Sequence, residues 1–296
     1  MFKSGFIGII GRPNVGKSTL FNAIVGENIS IVADKPQTTR NKITGIKNLP
    51  DAQLIFLDTP GMHRPKTPLN RAMVQTAQDT IHDSDILLML IQADFDVHHH
   101  DLFLIEYLAQ IQVPVFLVIN KIDLIEKKYL LPLIDKFRTL YNYRDIFPIS
   151  ALKGDGIDDL LEAIKIILPE GPQYFPDDIA TDSTERFIAA EFIREKILLL
   201  TKQEVPYASA VIVDVFKEDE GKNLISISAT ITMEKESQKA IIIGKKGAIL
   251  KKIGTAARLE MEKFFSARIF LELYVRVKKN WTSSDKMLQE LGILKR

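Results

Sequence analysis

Residues 11–18, GRPNVGKS, combine two glycines with a lysine and a hydroxyl side chain at the spacing G-x-x-x-x-G-K-[ST]. Glycine lets consecutive backbone N–H groups turn toward one anion, and a helix that begins directly afterwards adds the positive end of its dipole at the same point. At this spacing Lys17 can reach the β and γ phosphates of a nucleotide, and the Ser18 hydroxyl can ligate Mg²⁺. The segment therefore predicts a phosphate loop for a nucleoside triphosphate.

The phosphate loop must lie between a strand and a helix, and both neighbours have the required pattern. Residues 6–10 are a short apolar run typical of a strand, and residues 18–25, STLFNAIV, are typical of the start of a helix. Further short apolar runs, alternating with helical stretches, occupy residues 54–58, 86–91, 115–120 and 146–150. This order predicts a doubly wound α/β domain with a mostly parallel sheet.

A second motif, DTPG at residues 58–61, follows directly from the apolar run that ends at Asp58. A carboxylate at the end of a strand points toward the phosphate loop, where it can hold Mg²⁺ through a water molecule. The backbone N–H of Gly61 can then meet the γ-phosphate. The motif predicts a metal and γ-phosphate site beside the phosphate loop.

Two further motifs indicate the base. NKID at residues 120–123 follows another predicted strand and supplies the carboxylate of Asp123. Guanine presents two donors on one edge, N1–H and the 2-amino group, which one carboxylate can accept together, whereas adenine has no such pair. In SALKG, residues 150–154, the Ala151 N–H is a predicted donor to the guanine O6. Four motifs in this order, each after a predicted strand, predict guanine selectivity.

Composition limits the classes of protein. A length of 296 residues favours about two domains, and 46% hydrophobic with 26% charged residues is typical of a soluble globular chain. The chain has no cysteine, which excludes disulfides and thiolate metal sites and suits a reducing cytosol. No apolar run approaches the roughly 18 residues of a membrane span, so we expect no transmembrane segment and a cytoplasmic protein.

A linker is predicted at residues 169–182, PEGPQYFPDDIATD, where prolines, a glycine and acidic residues interrupt the periodicity. The predicted domains are therefore residues 1–168 and residues 183–296. The net charge of +1 hides an asymmetry, because residues 180–296 carry 21 basic and 16 acidic residues. The C-terminal part is basic and the N-terminal part is acidic.

The second domain has its own pattern. An apolar helical stripe runs from Ile188 to Leu200, and alternation of apolar and polar residues marks strands. The predicted strands are residues 207–216, 224–233 and 269–277, and the first two form a hairpin. A second apolar helix is predicted at residues 250–264. The order α-β-β-α-α-β, with G-x-x-G between the paired helices, resembles a type II KH domain, a smaller α+β RNA-binding fold.

The G-x-x-G segment is GKKG, residues 244–247, and it lies in a basic stretch. Its glycines let a nucleic-acid backbone approach closely while its lysines face the phosphates. Residues 239–258 contain six basic side chains and no acidic one. The predicted RNA-binding residues are Gly244, Lys245, Lys246, Gly247, Lys251, Lys252 and Arg258. Because an A-form duplex hides its base edges, the predicted ligand is single-stranded RNA.

The motifs GRPNVGKS, QTTR, DTPGM, NKID and ISALKG resemble those of the translation-factor-type GTPases, and with the C-terminal half the whole chain resembles the Era family of bacterial GTPases. The resemblance implies a GTPase that binds GTP, GDP and Mg²⁺. The predicted nucleotide-binding residues are Gly11, Arg12, Pro13, Asn14, Val15, Gly16, Lys17, Ser18, Asp58, Thr59, Pro60, Gly61, Met62, Asn120, Lys121, Ile122, Asp123, Ser150 and Ala151. The predicted catalytic residues are Lys17, Thr39 and Gly61.

By the same resemblance, QTTR at residues 37–40 is the first switch segment. Thr39 is predicted to ligate Mg²⁺ when a γ-phosphate is present, with Thr38 as the alternative. The predicted metal ligands are Ser18, Thr39 and Asp58.

Met62 stands where Ras-like enzymes carry the glutamine that orients the attacking water. A thioether cannot position water, so the resemblance implies slow intrinsic hydrolysis that relies on another group. Asn14 is a candidate, because in relatives with asparagine here it helps to bind K⁺ in place of an arginine finger. The alternative is that Asn14 only caps the loop.

The resemblance further implies binding to the 3′ end of small-subunit (16S) ribosomal RNA, a role in assembly of the small ribosomal subunit, and peripheral association with the inner face of the cell membrane. We expect a monomer. The competing hypothesis is a signalling GTPase whose basic second domain docks a protein or an anionic membrane surface.

Two other features carry weaker predictions. His98, His99 and His100 could bind a metal, but adjacent side chains on a regular element diverge, so a solvated loop is favoured. Trp281 is predicted either to stack on a base or to close the C-terminal core.

Overall fold

A computed structural model describes residues 1–35, 37–62, 65, 67–94, 96–291 and 293–294. The chain forms two compact units. The first unit comprises Met1–Pro65 and Met73–Asp182, and the second comprises Ser183–Arg296 with Lys66–Ala72.

The first unit is built around a six-stranded sheet with the order β2-β3-β1-β4-β5-β6. All neighbouring strands are parallel except β2 and β3, which are antiparallel. The elements are β1 (Lys3–Gly11), α1 (Lys17–Val25), β2 (Ile43–Leu49), β3 (Ala52–Asp58), α2 (Pro68–His82), β4 (Ile86–Gln92), α3 (His99–Leu108), β5 (Val115–Asn120), α4 (Leu130–Arg138), β6 (Asp145–Pro148) and α5 (Ile157–Ile167). The first residues of α2 belong to the stretch assigned to the second unit, and the helix enters the first unit at Met73. The predicted doubly wound, mostly parallel sheet is confirmed.

The central strands bury both faces, which explains their continuous apolar sequences. Every residue of β3 and β5 is buried, and so are six of the seven residues of β4. The register pairs Ile9 of β1 with Asp58 of β3, and Gln92 of β4 with Asn120 of β5. Since these strands are parallel, their carboxyl ends meet at one edge of the sheet, where the motifs lie.

Residues 169–182 are hydrogen-bonded to the first unit. Gln53 of β3 donates to the Phe175 carbonyl oxygen at 2.8 Å, and Thr181 donates to the Thr44 carbonyl oxygen of β2 at 2.6 Å. The segment therefore lies along the strands of the first unit up to the boundary after Asp182. That it acts as a linker stays a prediction.

The second unit has a three-stranded sheet with the order β7-β8-β9, antiparallel between β7 and β8 and parallel between β8 and β9. Its elements are α6 (Glu185–Leu200), β7 (Ala210–Asp219), β8 (Leu224–Met233), α7 (Glu236–Ile243), α8 (Ala248–Phe265), β9 (Arg268–Val277) and α9 (Asp285–Glu290). The order α-β-β-α-α-β and the hairpin are confirmed. The predicted strand start at residue 207 is wrong, because the Tyr207 N–H closes a turn to the Glu204 carbonyl oxygen.

The core of the second unit lies between its sheet and its helices. On β8 the apolar residues from Ile225 to Met233 are buried, as the alternation with serine and threonine predicts. Trp281 is also fully buried, and its indole N–H donates to the Ala208 carbonyl oxygen at 3.1 Å. Of the two roles predicted for Trp281, the structure shows that of closing the core.

Among the helices of the described residues, none combines the length and the apolar character that crossing a membrane requires.

Candidate functional site

The phosphate loop, residues 11–18, joins β1 to α1. Gly16 caps α1 with a φ of 97°, and a Cβ at this position would lie 2.3 Å from the Asn120 side-chain nitrogen. Only glycine satisfies both conditions, since other residues rarely adopt this φ and any side chain would collide. The N-terminus of α1 therefore opens directly onto the loop, as an anion site requires.

Lys17, the first residue of α1, is buried beneath the loop. Its ammonium group donates to the carbonyl oxygens of Gly11 (3.2 Å) and Arg12 (3.1 Å). Burial lowers the pKa of Lys17 to about 8, against the raising effect of the Asp58 charge. A polyanion at the loop would add to the counter-charge that Asp58 supplies to this buried ammonium group.

A hydroxyl–carboxylate cluster, consisting of Ser18, Ser30, Thr39 and Asp58, lies beside the loop. One carboxylate oxygen of Asp58 accepts hydrogen bonds from Ser18 (2.9 Å), Ser30 (2.7 Å) and Thr39 (3.1 Å). Burial raises the pKa of Asp58, while the Lys17 charge and the three hydroxyl donors lower it. The structure thus brings together the three predicted Mg²⁺ ligands and adds Ser30.

This cluster fits a magnesium ion. The other carboxylate oxygen of Asp58 is buried and has no hydrogen-bond partner in the described part of the chain. Buried oxygens are normally paired, so this one marks a place for a cation or an ordered water. All the donor atoms are oxygens, which Mg²⁺ prefers. Thr38 lies outside the cluster, since its hydroxyl donates to the Lys35 carbonyl oxygen at 2.6 Å.

The guanine motif is held by the Asn120 side chain at the end of β5. Its nitrogen donates to the Val15 carbonyl oxygen at 2.8 Å, and its oxygen accepts from the N–H groups of Lys121 (2.8 Å) and Ala151 (2.9 Å). The Ala151 N–H, predicted to donate to the guanine O6, therefore also holds Asn120 in place. Asn120 ties the phosphate loop to both base motifs.

Asp123 is positioned as a charged acceptor. The Ser150 hydroxyl donates to one of its carboxylate oxygens at 2.7 Å, and this hydrogen bond is the main reason that the pKa of Asp123 lies below its ordinary value. An ionised carboxylate is the acceptor that two guanine donors require. Lys121 adds a link, donating to the Asn14 carbonyl oxygen (2.8 Å) and the Gln92 side-chain oxygen (2.9 Å).

One cavity connects the phosphate loop with the first switch segment. Eight of the residues that line it are also predicted from the sequence to bind nucleotide or Mg²⁺, namely Pro13, Asn14, Gly16, Lys17, Ser18, Thr39, Gly61 and Lys121. The Met62 side chain is buried in the apolar core, while its N–H donates to the Gly11 carbonyl oxygen at 3.2 Å. Met62 therefore offers no side-chain contact to water at the site, and its N–H is engaged with the phosphate loop.

Sequence reasoning missed the partners of Arg12. Its guanidinium group pairs with Asp94 at 2.9 Å and with Asp101 at 3.3 Å. Burial raises the pKa of Asp101 to about 6, although the Arg12 charge opposes this. Neither aspartate belongs to a recognisable motif. Their pairing with Arg12 follows only from the packing of Asp94, after β4, and Asp101, in α3, against the phosphate loop.

The predicted RNA site lies in the second unit at a groove between α8 and β9, the KH groove. It is lined by Gly247, Leu250, Lys251, Gly254, Thr255, Arg258, Leu271 and Leu273. Lys251 and Arg258 thus line the groove, whereas the exposed Lys252 projects from another face of α8. Arg258 is paired with Glu262 at 2.6 Å, which reduces its free charge.

The GKKG loop stands at one end of this groove. Lys245 and Lys246 are exposed, so their charges are available to an anionic ligand. Gly244 has a φ of 70°, and a Cβ there would lie 2.7 Å from the Ile249 side chain. Glycine at 244 is therefore a requirement of the turn that presents the two lysines.

A phosphate loop, a buried carboxylate with hydroxyl partners and an N-K-x-D motif on a doubly wound sheet define a P-loop GTPase, here with a KH domain in the second unit. Residues 6–121 match the family model described as 50S ribosome-binding GTPase, and residues 204–282 match the KH domain model.

Similar proteins narrow this class. The GTPase Era of Syntrophus aciditrophicus is 63% identical over 292 residues, covering 99% of this chain and 95% of that protein. The GTPase Era of Geobacter metallireducens is 56% identical and covers 98% of both chains. The crystal structure of a single-residue variant of Aquifex aeolicus Era bound to GDP·AlF4⁻ has a TM-score of 0.93 at 40% identity, covering 99% of this chain and 100% of that one.

The chain belongs to the Era family of GTPases. It is accordingly an enzyme that binds and hydrolyses GTP, and it carries a KH domain.

Proposed function

We propose that this GTPase uses Mg²⁺, binds single-stranded ribosomal RNA through its KH domain, and acts in assembly of the small ribosomal subunit. The observation that carries the proposal is a likeness to a structure of Era in complex with MgGDPNP and nucleotides 1506–1542 of 16S ribosomal RNA. That structure has a TM-score of 0.94 and 40% identity, and the match covers 99% of this chain and 100% of that one.

In the nucleotide site, Ser18, Thr39 and Asp58 would hold Mg²⁺, Asp58 through a water molecule. A bound Mg²⁺ would supply positive charge against the β and γ phosphates. Lys17 neutralises the same phosphates, and the Gly61 N–H donates to the γ-phosphate. These groups lower the barrier by stabilising charge that develops as water attacks the γ-phosphorus.

The two threonines of the first switch segment allow a matched test. Because Thr39 donates to Asp58 at 3.1 Å and Thr38 does not join this cluster, Thr39→Ala should slow single-turnover GTP hydrolysis at least about tenfold and leave GDP affinity nearly unchanged. Thr38→Ala is the control and should stay within about twofold of the wild type. If Thr38→Ala slows hydrolysis more than Thr39→Ala does, Thr38 and not Thr39 is the Mg²⁺ ligand.

We further propose that K⁺ assists hydrolysis at Asn14. Asn14 is exposed at the rim of the cavity, and its amide nitrogen makes a long contact of 3.4 Å with the Asp34 carbonyl oxygen. Its side-chain oxygen is an acceptor of the kind that a monovalent cation requires. Met62 supplies no alternative for orienting water.

We expect faster turnover in potassium than in sodium at equal ionic strength, and Asn14→Ala should remove the difference. Asn14 has a φ of 66°, so alanine there adds backbone strain. Asn14→Gly is the better control, since it deletes the same amide while favouring this conformation. Equal wild-type rates in the two salts would contradict the potassium role and leave Asn14 as a loop cap.

For the second unit, we propose that RNA lies in the KH groove. The backbone passes the GKKG loop, where Lys245 and Lys246 contact phosphates, and unstacked bases enter between Leu250 of α8 and Leu273 of β9. Lys251 adds a further phosphate contact. Apolar walls with a basic rim suit a single strand better than a duplex, whose bases are already stacked.

The test is the affinity of the full-length protein for the 3′-terminal fragment of its small-subunit ribosomal RNA, measured by fluorescence anisotropy. A fragment of identical composition and permuted sequence is the control. The proposal requires tighter binding to the native order. Equal affinity for the two RNAs would favour the competing hypothesis, in which the basic face docks a protein or an anionic membrane surface.

Location and assembly state stay predictions of the same kind. We propose a monomer that is cytoplasmic, with peripheral association at the inner face of the cell membrane. Light scattering after size exclusion tests whether the protein is a monomer, and flotation with vesicles of anionic lipid tests its association with the membrane.

A further inference from the structure

Three consecutive histidines, His98, His99 and His100, form a histidine cluster at the start of α3. Their ring centroids lie 4.3 Å (His98–His99), 4.9 Å (His98–His100) and 4.0 Å (His99–His100) apart. One ring nitrogen from each residue lies within 4.8 Å of the other two. The expectation that these side chains diverge into solvent is therefore wrong.

The backbone explains why the rings converge. His98 is outside the helix as its N-cap, with an extended φ of −77° and ψ of 141°, while His99 and His100 are the first helical residues. Side chains of neighbours in one regular conformation usually diverge, and here the conformation changes between His98 and His99, which brings the His98 ring to the other two. The contact between the His99 and His100 rings is made by two helical neighbours and does not follow from this change. The His98 ring folds back over the first turn, where its Nδ1 accepts from the His100 N–H at 3.2 Å.

We propose that the histidine cluster is a binding site for a borderline transition-metal cation, Zn²⁺ in the first place. Neutral imidazole nitrogens are preferred ligands of Zn²⁺, and hard cations such as Mg²⁺ prefer oxygen. No function assigned above uses these residues.

The distances fit this ion. The Nδ1 atoms of His98 and His100 lie 3.2 Å apart. Two nitrogens at about 2.0–2.1 Å from a tetrahedral zinc ion are about 3.3–3.4 Å apart, so the spacing of this pair matches that of two zinc ligands. Zinc taken at His98 Nδ1 replaces the contact between the two rings and the cap hydrogen bond. His99 is exposed and gives the ion access from solvent.

The charged groups beside the cluster are two carboxylates and the Arg12 guanidinium group, which pair with one another. Asp101 follows the cluster, its N–H donates to the His98 carbonyl oxygen at 2.8 Å, and its carboxylate is held by Arg12. Asp94 is held by Arg12 as well. Both carboxylates are thus engaged with the guanidinium group, so three histidines and water complete the coordination.

The experiment is a calorimetric titration of Zn²⁺ into the full-length chain without a histidine tag, with GDP and Mg²⁺ saturating the phosphate loop. Wild type should bind one Zn²⁺ per chain. The variant His98→Asn/His100→Gln should bind it at least about tenfold more weakly, since losing a ligand costs at least as much as losing a partner of a ligand. Asparagine keeps an N-cap acceptor at position 98.

His82 gives the matched control. It lies in the last turn of α2, outside the cluster, and contacts the Tyr107 hydroxyl at 3.4 Å. His82→Gln should leave zinc affinity unchanged. Absence of saturable zinc binding by the wild type, or equal affinity in wild type and double variant, would overturn the proposal. If the double variant has a lowered melting temperature, the single variants His99→Gln and His100→Gln are titrated instead. If the cluster binds zinc, at least one of them should bind it more weakly than the wild type.

Discussion

Replacing Asp123 with asparagine should lower GTP affinity by about 10²- to 10⁴-fold and give binding of xanthosine triphosphate in its place. Asp123 is held by Ser150 at 2.7 Å with a pKa below its ordinary value, so it is an ionised acceptor for the two guanine donors. Two hydrogen bonds to a charged group are worth about 3–6 kcal/mol, which gives this factor. The new amide can donate to the carbonyl that xanthine has in place of the 2-amino group.

The measurement is a titration of both nucleotides against wild type and variant. Asp135→Asn is a matched control, because it makes the same chemical change at an exposed position of α4. It should leave both affinities as in the wild type. An unchanged preference for GTP in Asp123→Asn would mean that Asp123 does not face the base.

The second large effect is expected in the KH domain. Lys245→Glu/Lys246→Glu should abolish RNA binding while leaving GTP affinity nearly intact, because both lysines are exposed beside the KH groove and belong to the second unit. Each lost phosphate contact should flatten the slope of log affinity against log salt by about 0.7 on a single strand. Acidic replacements add repulsion of the same phosphates.

The control is Lys202→Glu/Lys217→Glu, which makes the same charge change at two exposed positions of the second unit away from the groove. RNA affinity at several salt concentrations, GTP affinity and a thermal melt are measured for each variant. Gly244 and Gly247 remain, so the turn can form. A folded Lys245→Glu/Lys246→Glu protein with the wild-type salt slope would show that GKKG is not the phosphate contact.

The sequence predicted the nucleotide motifs because their spacing fixes local geometry. A strand that ends in Asp58 or Asn120 must deliver that side chain to the carboxyl edge of a parallel sheet, whatever the rest of the chain does. The strand β2 was not predicted, because Gly45 and Lys47 interrupt its apolar pattern and it pairs only at the edge. The pattern fails here because a threonine and a glycine are buried beside the isoleucines, so apolar character does not follow burial in this strand.

Site residues that reach the nucleotide site only through tertiary contacts could not be predicted from the sequence. Ser30 reaches Asp58 because the Asn22 side chain holds the Ser30 carbonyl oxygen at 2.7 Å. A lone serine after a helix cannot be distinguished from any other loop serine.

In the KH domain, the sequence could have predicted that Arg258 is paired and that Lys252 lies away from the groove. Arg258 and Glu262 are four residues apart on α8, a spacing that favours an ion pair, and Glu262 lies just beyond the acid-free stretch that ends at residue 258. Helical periodicity likewise separates Lys252 from Lys251 and Arg258. The histidine cluster could not be predicted, because the backbone conformation of His98 decides it.

We propose above that this GTPase binds small-subunit ribosomal RNA through its KH domain. The decisive measurement is crosslinking in living cells, followed by sequencing of the RNA bound to the protein. We expect the wild-type reads to concentrate at the 3′ end of the small-subunit ribosomal RNA and Lys245→Glu/Lys246→Glu to lose them. Reads scattered over unrelated RNA, or the same 3′-end reads from the double variant, would contradict it.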